Sequence, residues 1–599
     1  MRPADHRSPV LFMGTAVLGF LLVLSWCFHV ERTTGFDSAW QTWFLIFEGV
    51  PRCEHGRYST MLAQVVPALQ LWYGVSLENL LRGYSVSLCA VHLLVFAIVW
   101  AGLRDRKAAV ALPLALVAMV GGSFYFGVSE IQQGLSSPIL VWAFARRTLD
   151  TTDARKATAW GAGTALAAVW ASFYHLVFVL PMIHLLVLEL IARKAWRNTR
   201  YWMLVATVLC ALVARKGFVE MSGYEKERMV SATEFMDLAG GWTELASTQY
   251  LFDALLRFPG LILLVACALV AAILRRRLLA LLWTLVWTAC CLLLILIADR
   301  EMYSPYMYEN LYPLIGVAWA ILAADLYEGK AARPVVTVAM ALVLLAGAWQ
   351  IALGRFVPMD KVEYAERITT SLRARGNDKA IISAHLLPWT YVQTHWTLPF
   401  ETLLISALQG PDSAVTVFAE EPMDKPGQCM HEPGRFIGPA WNPCAVMIAQ
   451  LDTNYFRLSR QPYVIASSLP DSINANADVD SGTVTLAALV RRAVMRPGRY
   501  HLVPVRVCNN GTRSLLAQAP DMLNGVQGEI ILKKNGEVIG RPWMALETDV
   551  PPGVCQEMAL LVERPARAGE HSLILELLVN GKPAGAKDTL GLAVHSLGM

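Results

Sequence analysis

A polytopic α-helical membrane protein of about eleven transmembrane helices, followed by a folded C-terminal region on the opposite side of the membrane from its basic loops, is the fold class this sequence predicts. Three observations lead there. The chain of 599 residues is 55% hydrophobic and only 16% charged, with a mean hydropathy of +0.43, and a soluble fold cannot hide that much apolar surface. The apolar residues come in runs of roughly 15–21 between Val10 and about Leu353, and after Gly354 the composition is that of an ordinary globular domain. Lys and Arg gather in every second loop between the runs. The boundaries that follow are 1–353 for the membrane domain, 354–480 for a mixed α/β region and 481–599 for a β-sandwich.

The candidate spans are 10–29, 84–103, 108–126, 132–145, 157–172, 174–192, 201–214, 258–274, 278–298, 311–327 and 334–353. A helix needs about 20 apolar residues to cross the hydrocarbon core. Several of these are shorter, so some helices are expected to end inside the protein, against neighbours rather than lipid. Asp5, His6 and Arg7 precede the first run and no small-residue cleavage site follows it, which favours an uncleaved anchor over a removed signal peptide.

Orientation follows from the basic residues. After Arg2 and Arg7 they cluster at Arg104–Lys107, Arg146–Lys156, Arg193–Arg200, Arg275–Arg277 and Lys330–Arg333. The alternating loops, 30–83, 215–257 and 299–310, hold most of the acidic and aromatic residues. The basic loops are therefore cytoplasmic and the C-terminal region external. The segment 157–192 decides the parity. A single long helix there would reverse everything downstream, whereas the break at Ser172–Tyr174 and a basic flank at each end favour a hairpin of two short spans.

Six cysteines (Cys27, Cys89, Cys210, Cys267, Cys290 and Cys291) fall in spans, as expected of buried, inert thiols. Four lie in the C-terminal region and can pair as Cys429–Cys444 and Cys508–Cys555, leaving Cys53 free. No CxxC or Cys/His metal spacing occurs, so disulfides in an oxidising exterior are the better account. In that region Lys361–Arg375 has helical periodicity, and Ala380–Ser383 and Val415–Phe418 have the pattern of short buried strands. From about 483 short strands alternate with turn signals such as Asn509–Asn510–Gly511 and Asn535–Gly536, the pattern of an immunoglobulin-like sandwich.

A formal charge of +4 with no basic stripe excludes a nucleic-acid partner, and no P-loop, dinucleotide fingerprint, H-E-x-x-H or G-x-S-x-G is present. The first outer loop carries the chemistry that remains. From Gly35 to Gly49, Trp40, Trp43, Phe44 and Phe47 recur at helical spacing, which predicts an amphipathic helix lying in the membrane interface. Asp37 stands at its start, where a carboxylate can cap the helix. Glu48, Arg52, Glu54, His55 and Arg57 follow. The outer ends of later helices add Glu130, His175, Arg215, Lys216, Arg300, Tyr308 and Glu309. Each has an ordinary structural alternative. Asp37 can be a cap alone, Arg215 and Lys216 can snorkel or pair with Glu220, Glu130 and Glu309 can be solvated loop residues, and His175 can be a satisfied buried imidazole. His92 and His184, inside spans, are expected to be structural.

A first span, an outer loop opening with Phe36-Asp37-Ser38 beside an interfacial helix, many short helices and an external C-terminal domain resemble the GT-C membrane glycosyltransferases over about 1–353. The resemblance implies an inverting transferase whose first-loop carboxylate, here Asp37, is the catalytic base, and whose donor is a sugar on a polyprenyl phosphate. No Asp-Glu pair or Asp-x-Asp accompanies Asp37. The acceptor would be a cell-envelope glycan or a lipid-linked precursor, at the periplasmic face of a bacterial inner membrane. One carboxylate can take the proton of an attacking hydroxyl, and a phosphate leaving group needs no second acid, unlike glycoside hydrolysis. Arg57, Arg215, Lys216 and Arg300 would face the phosphate, while Glu48, Glu130, His55, His175, Tyr308 and Glu309 would line the sugar and acceptor sites. A divalent metal would serve the phosphate equally well, although no ligand set for one is evident.

Two other classes compete. A transporter or flippase would place ionisable groups near mid-membrane, where this chain offers little beyond His92 and His184. A non-catalytic envelope-glycan assembly protein would use the sandwich as its working part and would tolerate loss of Asp37.

Overall fold

The computed structural model describes residues 9–219, 236, 258–298, 311–327, 333–384, 387–388, 392, 394–420, 426–438 and 443–465, together with the strands and adjoining turns of a C-terminal region between 484 and 594. The membrane domain comprises α1 (Pro9–Cys27), α2 (His29–Thr33), α3 (Asp37–Glu48), α4 (Met61–Trp72), α5 (Leu77–Ala97), α6 (Arg106–Val117), α7 (Glu130–Gly134), α8 (Ser137–Asp150), α9 (Ala154–Ser172), α10 (Val179–Arg193), α11 (Thr199–Phe218), α12 (Pro259–Leu274), α13 (Leu278–Ala298), α14 (Pro313–Leu326) and α15 (Arg333–Leu353). Each expected apolar segment falls on a helix. Among the described residues six helices are long and apolar enough to cross a membrane, and α12 and α14 are shorter apolar helices.

The short helices have a physical reason for their length. Beyond the charged residues at their ends, α6 from Ala108 and α14 as far as Ala324 are apolar on every side and buried, as a helix stretch with no polar face must be. After Val117 the chain leaves the helix and runs irregularly to Ser129, largely buried among its neighbours, so the span expected over 108–126 ends early. Non-helical backbone at such depth is tolerated where protein rather than lipid surrounds it. The backbone of α15 lies directly on this part of the chain. A Cβ at Gly347 would stand 2.5 Å from the carbonyl oxygen of Val117, and one at Gly354 would stand 2.6 Å from the backbone of Gly121.

The chain reverses between α9 and α10. Ser59 donates its backbone N–H and its Oγ to the carbonyls of Phe173 and Trp170 at the turn, while at the other end Arg193 donates to Asp150, 2.5 Å away. That far end is tied by ions. Arg146 Nε donates to Asp105 Oδ2 at 2.9 Å and its Nη1 to Glu189 Oε1 at 3.2 Å. Trp142 Nε1 donates to the same Glu189 oxygen at 2.7 Å, Arg193 pairs with Glu189, and Lys107 reaches Asp325 at 2.8 Å. Asp105 also caps α6, accepting from the backbone N–H of Lys107 and Ala108. Helices α6, α8, α10 and α14 thus meet in one buried network at the end that carries the basic clusters.

Helix α16 (Phe356–Ala374) continues almost directly from α15, so that 334–374 form a 41-residue rod. It leads to an α/β region whose parallel sheet has the order β2 (Thr416–Glu420), β1 (Lys379–Ser383), β5 (Val464–Ile465), with the buried helix α17 (Leu398–Ala407) packed on it. A two-stranded ribbon of β3 (Arg435–Phe436) and β4 (Val446–Met447) stands beside the sheet, and Cys429 is bonded to Cys444.

The C-terminal strands are β6 (Val484–Ala488), β7 (Arg492–Met495), β8 (Tyr500–Asn509), β9 (Gly528–Ile530), β10 (Leu532–Lys534), β11 (Glu537–Gly540), β12 (Trp543–Met544), β13 (Cys555–Glu563), β14 (Gly569–Val579) and β15 (Lys582–Val594). They form a five-stranded sheet, β12-β9-β14-β15-β7, a three-stranded sheet, β13-β8-β6, and the hairpin β10-β11. Cys508 and Cys555 are bonded and face each other in the β8–β13 register. The bridge therefore lies within one sheet, whereas antibody domains bridge two.

Two expectations for the first loop are corrected. The aromatic stripe of α3 does not form a free face for the membrane interface. Trp43 stacks on Phe436 at 5.6 Å and lies 4.8 Å from Phe400, which Trp40 also meets at 4.9 Å. Alternation of aromatic and polar residues reveals an apolar face but not whether lipid or protein covers it. The exposed apolar helix of this loop is α4, with Leu62, Val65, Val66, Leu69 and Trp72 uncovered. Nor is Asp37 the cap of α3: Phe36 occupies that position and Asp37 is the first helical residue.

Candidate active site

The site is built around the turn that joins α2 to α3. Phe36 has φ 53° and ψ −138°, a conformation that a residue bearing a Cβ rarely adopts and that costs on the order of 1–3 kcal/mol. The surroundings hold it. Glu401 on α17 accepts the backbone N–H of Phe36 at 2.7 Å, Thr397 Oγ1 at 2.7 Å and Lys361 Nζ at 2.7 Å. Lys361 lies 3.3 Å from the centroid of the Phe36 ring, which also stacks on Phe126 at 4.3 Å. The Lys361 and Glu401 side chains are 5% and 1% exposed, so this is a buried ion pair. The next residue along the chain, Asp37, is exposed. It stands in the first turn of α3, where the helix dipole favours a negative charge, and its charge acts on the Lys361 ammonium.

One turn further on, Trp40 Nε1 donates to Glu54, and the Glu54 carbonyl accepts from the backbone N–H of Arg57 at 2.9 Å. Arg57 Nη1 in turn donates to Glu130 at 2.6 Å. Burial alone would raise the Glu130 carboxyl. The Arg57 guanidinium, through its charge and its hydrogen bond, brings it below the ordinary value of 4.5. His175 accepts the N–H of Val177 at Nδ1, 3.1 Å away, where the α9–α10 hairpin turns. Val219, just past the end of α11, lies over Gly56, so close that a Cβ there would stand 2.4 Å from it. That contact brings buried Arg215 and exposed Lys216, in the last turn of α11, towards His55 and Arg57.

A depressed carboxyl stabilises the fold above its unfolded pKa, and that contribution is lost as pH falls through its folded one. The Arg57–Glu130 pair is therefore intact at pH 7 and weakens below about 4.5. The melting temperature of the parent should fall relative to Glu130→Gln as pH descends through that range. Parallel curves for the two proteins would count against a stabilising pair.

The structure thus gathers His55, Arg57, Glu130, His175 and the Arg215–Lys216 end of α11 around the turn at 54–57. It places Glu48 elsewhere, in an exposed ion pair with Arg52 at the far end of α3, about 16 Å from Asp37 at the helical rise. Arg300, Tyr308 and Glu309 lie outside the described residues. His92 donates to or accepts from Ser136 Oγ at 3.0 Å, and His184 lies between Trp283 and Trp287, 6.3 and 5.2 Å away. Among the described residues no group of three or more His, Cys, Asp or Glu is placed to hold a metal ion.

Sequence reasoning missed four neighbours of the site. Lys361 and Glu401 carry no local signal, since their partner is the distant Phe36. Glu31 lines a small cavity with Phe36, Lys361 and Glu401, and burial raises its carboxyl. Arg32 is buried, donating to Ser85 at 2.9 Å and to the Phe124 carbonyl, with its guanidinium 3.9 Å from the Phe124 ring. It lines a cavity of about 30 Å³ with His92, Gln132 and Gln133, room for one water molecule. Two charges directly after the first apolar run were the signal for Glu31 and Arg32.

No family model matches the chain, and no curated protein does. Among solved structures it is similar to ArnT from Cupriavidus metallidurans, both bound to undecaprenyl phosphate and in the apo state, at 12% and 15% identity. Each comparison covers 67% of this chain and 89% of that one, with a TM-score of 0.33. So distant a likeness assigns no residue and no substrate.

Proposed function

We propose that the chain is a membrane glycosyltransferase that moves a sugar from a polyprenyl-phosphate carrier to a cell-envelope glycan or lipid-linked acceptor at the periplasmic face, with inversion at the anomeric carbon. The observation that carries this reading is Asp37, an exposed residue on a strained turn that follows the first apolar helix and the short polar α2. In the proposed reaction an acceptor hydroxyl attacks the anomeric carbon and gives its proton to Asp37. The bond from that carbon to the phosphate oxygen breaks, and the carrier leaves as its phosphate. A phosphate is already a good leaving group, so one base suffices and cations supply the remaining stabilisation. Arg215 and Lys216 are the proposed phosphate partners, with Arg300 a further candidate. Arg57, neutralised by Glu130, serves to order the loop beside them and can extend a hydrogen bond to the same group. Glu130 and His175, with Tyr308 and Glu309, are proposed to line the sugar and acceptor sites. The basic network around Arg146 then lies on the cytoplasmic side, and the α/β region and sandwich on the periplasmic side.

The test is loss of the chain in its native host, with surface glycans and polyprenyl-phosphate sugars compared before and after. A missing glycan modification together with accumulated lipid-linked sugar supports the transferase. Unchanged lipid-linked pools with a glycan trapped inside the membrane favour a flippase. Deleting 480–599 should weaken transfer while leaving membrane insertion intact, because the clamp on Phe36 comes from residues before 402. Full transfer by that truncation would remove the sandwich from acceptor recognition.

A further inference from the structure

We propose that Lys361 and Glu401 are positioning residues for Asp37: the α/β region sets the geometry of the carboxylate through the backbone of Phe36. The inference rests on the role proposed for Asp37. Three observations support it. A left-handed Phe36 is unfavourable by itself and persists only where its surroundings over-determine it, and here Glu401, Lys361 and Phe126 reach it from elsewhere in the chain. Glu401 Oε1 takes the Phe36 N–H, Lys361 stands over one face of the ring and Phe126 stacks against it. Second, a buried ion pair is a weak device for stability, since apolar residues of similar size often serve the fold as well or better. This pair is aimed at one backbone N–H, and Glu401 Oε1 collects three donors there. Third, Asp37 follows Phe36 directly and its charge reaches the same ammonium. Any change in the pair is therefore passed to Asp37 through one peptide unit.

The apolar double variant Lys361→Met/Glu401→Leu separates positioning from stability. It fills the same space without an ion pair and removes the acceptor of the Phe36 N–H. Full-length protein in detergent is assayed with polyprenyl-phosphate sugars extracted from the host membranes, alongside its melting temperature. The double variant should remain folded, its melting temperature lowered at most modestly by the Phe36 N–H and Thr397 Oγ1 that lose their acceptor, while kcat falls about 10²-fold with KM little changed, the scale expected when a reacting group is displaced by about 1 Å. Lys361→Met/Glu401→Gln, which keeps an acceptor for the N–H, should recover most of that loss. If the apolar pair does not fold, the charge swap Lys361→Glu/Glu401→Lys tests the same point, because it retains an ion pair but presents a donor to the Phe36 N–H. Parental kcat in either folded variant overturns the positioning role. Asp37→Asn is measured in parallel. An active Asp37→Asn overturns the base assignment itself, whereas an inactive one beside a fully active apolar pair overturns only the inference about Lys361 and Glu401.

Discussion

Asp37→Asn is expected to lower transfer by about 10²–10⁴-fold, the usual contribution of a positioned general base. The substitution is isosteric at an exposed position, so the protein should accumulate and fold, with at most a small fall in melting temperature from the charge lost at the N-terminus of α3. The informative comparison is made in the native host at matched abundance. A lost surface-glycan modification with a raised level of polyprenyl-phosphate sugar would place the base at Asp37. An unchanged profile would take Asp37 out of catalysis and shift the weight to the transporter or assembly alternatives, which have no use for this carboxylate.

The largest effect on stability is expected at the other end of the bundle. Arg146→Met leaves Asp105 without its ion-pair partner and removes one of the donors to Glu189. Both carboxylates are 6% exposed. Breaking a buried pair from one side typically costs about 3–5 kcal/mol, because the remaining charge stays buried without its counter-charge. A clear fall in melting temperature in detergent should result. Adding Asp105→Asn removes that stranded charge while keeping an oxygen to cap α6, so the double variant should melt above Arg146→Met alone. A double variant that melts lower still would overturn the stranded-charge account, since the capping oxygen is retained.

How far the fold was legible depended on the range of the interactions involved. Helices such as α5 and α13 declare themselves through unbroken apolar runs. The reversal near Phe173 could be read from the polar break and the basic residues flanking it, because both signals are local. The covering of α3 could not be read, since Phe400 and Phe436 lie more than 350 residues further along the chain. The same periodicity rule that located α3 would have located α4, whose Leu62, Val65, Val66, Leu69 and Trp72 share a face. At the site, Asp37, Arg57 and His175 were visible as polar residues at the outer ends of apolar segments. The clamp from Lys361 and Glu401 was invisible, because its message is a hydrogen bond to a backbone N–H and no side chain at position 36 records it. The pairing of Arg57 with Glu130 was likewise beyond the sequence, which showed two candidate ligands rather than two partners.

The rod formed by α15 and α16 turns a length into an angle. Its lower half is seated on Val117 and Gly121 by glycines that leave no room for rotation, and its upper half carries Lys361. One extra residue between Gly354 and Lys361 would swing the ammonium about 100° around the axis, away from Phe36, whereas four would return it to within about 40° and one storey higher, since the helix repeats every 3.6 residues. An insertion here that is not close to a whole turn should therefore detach the ammonium from Phe36. The joint behaves like a keyed shaft, which tolerates a change of side chain but not a change of phase between the membrane domain and the region above it.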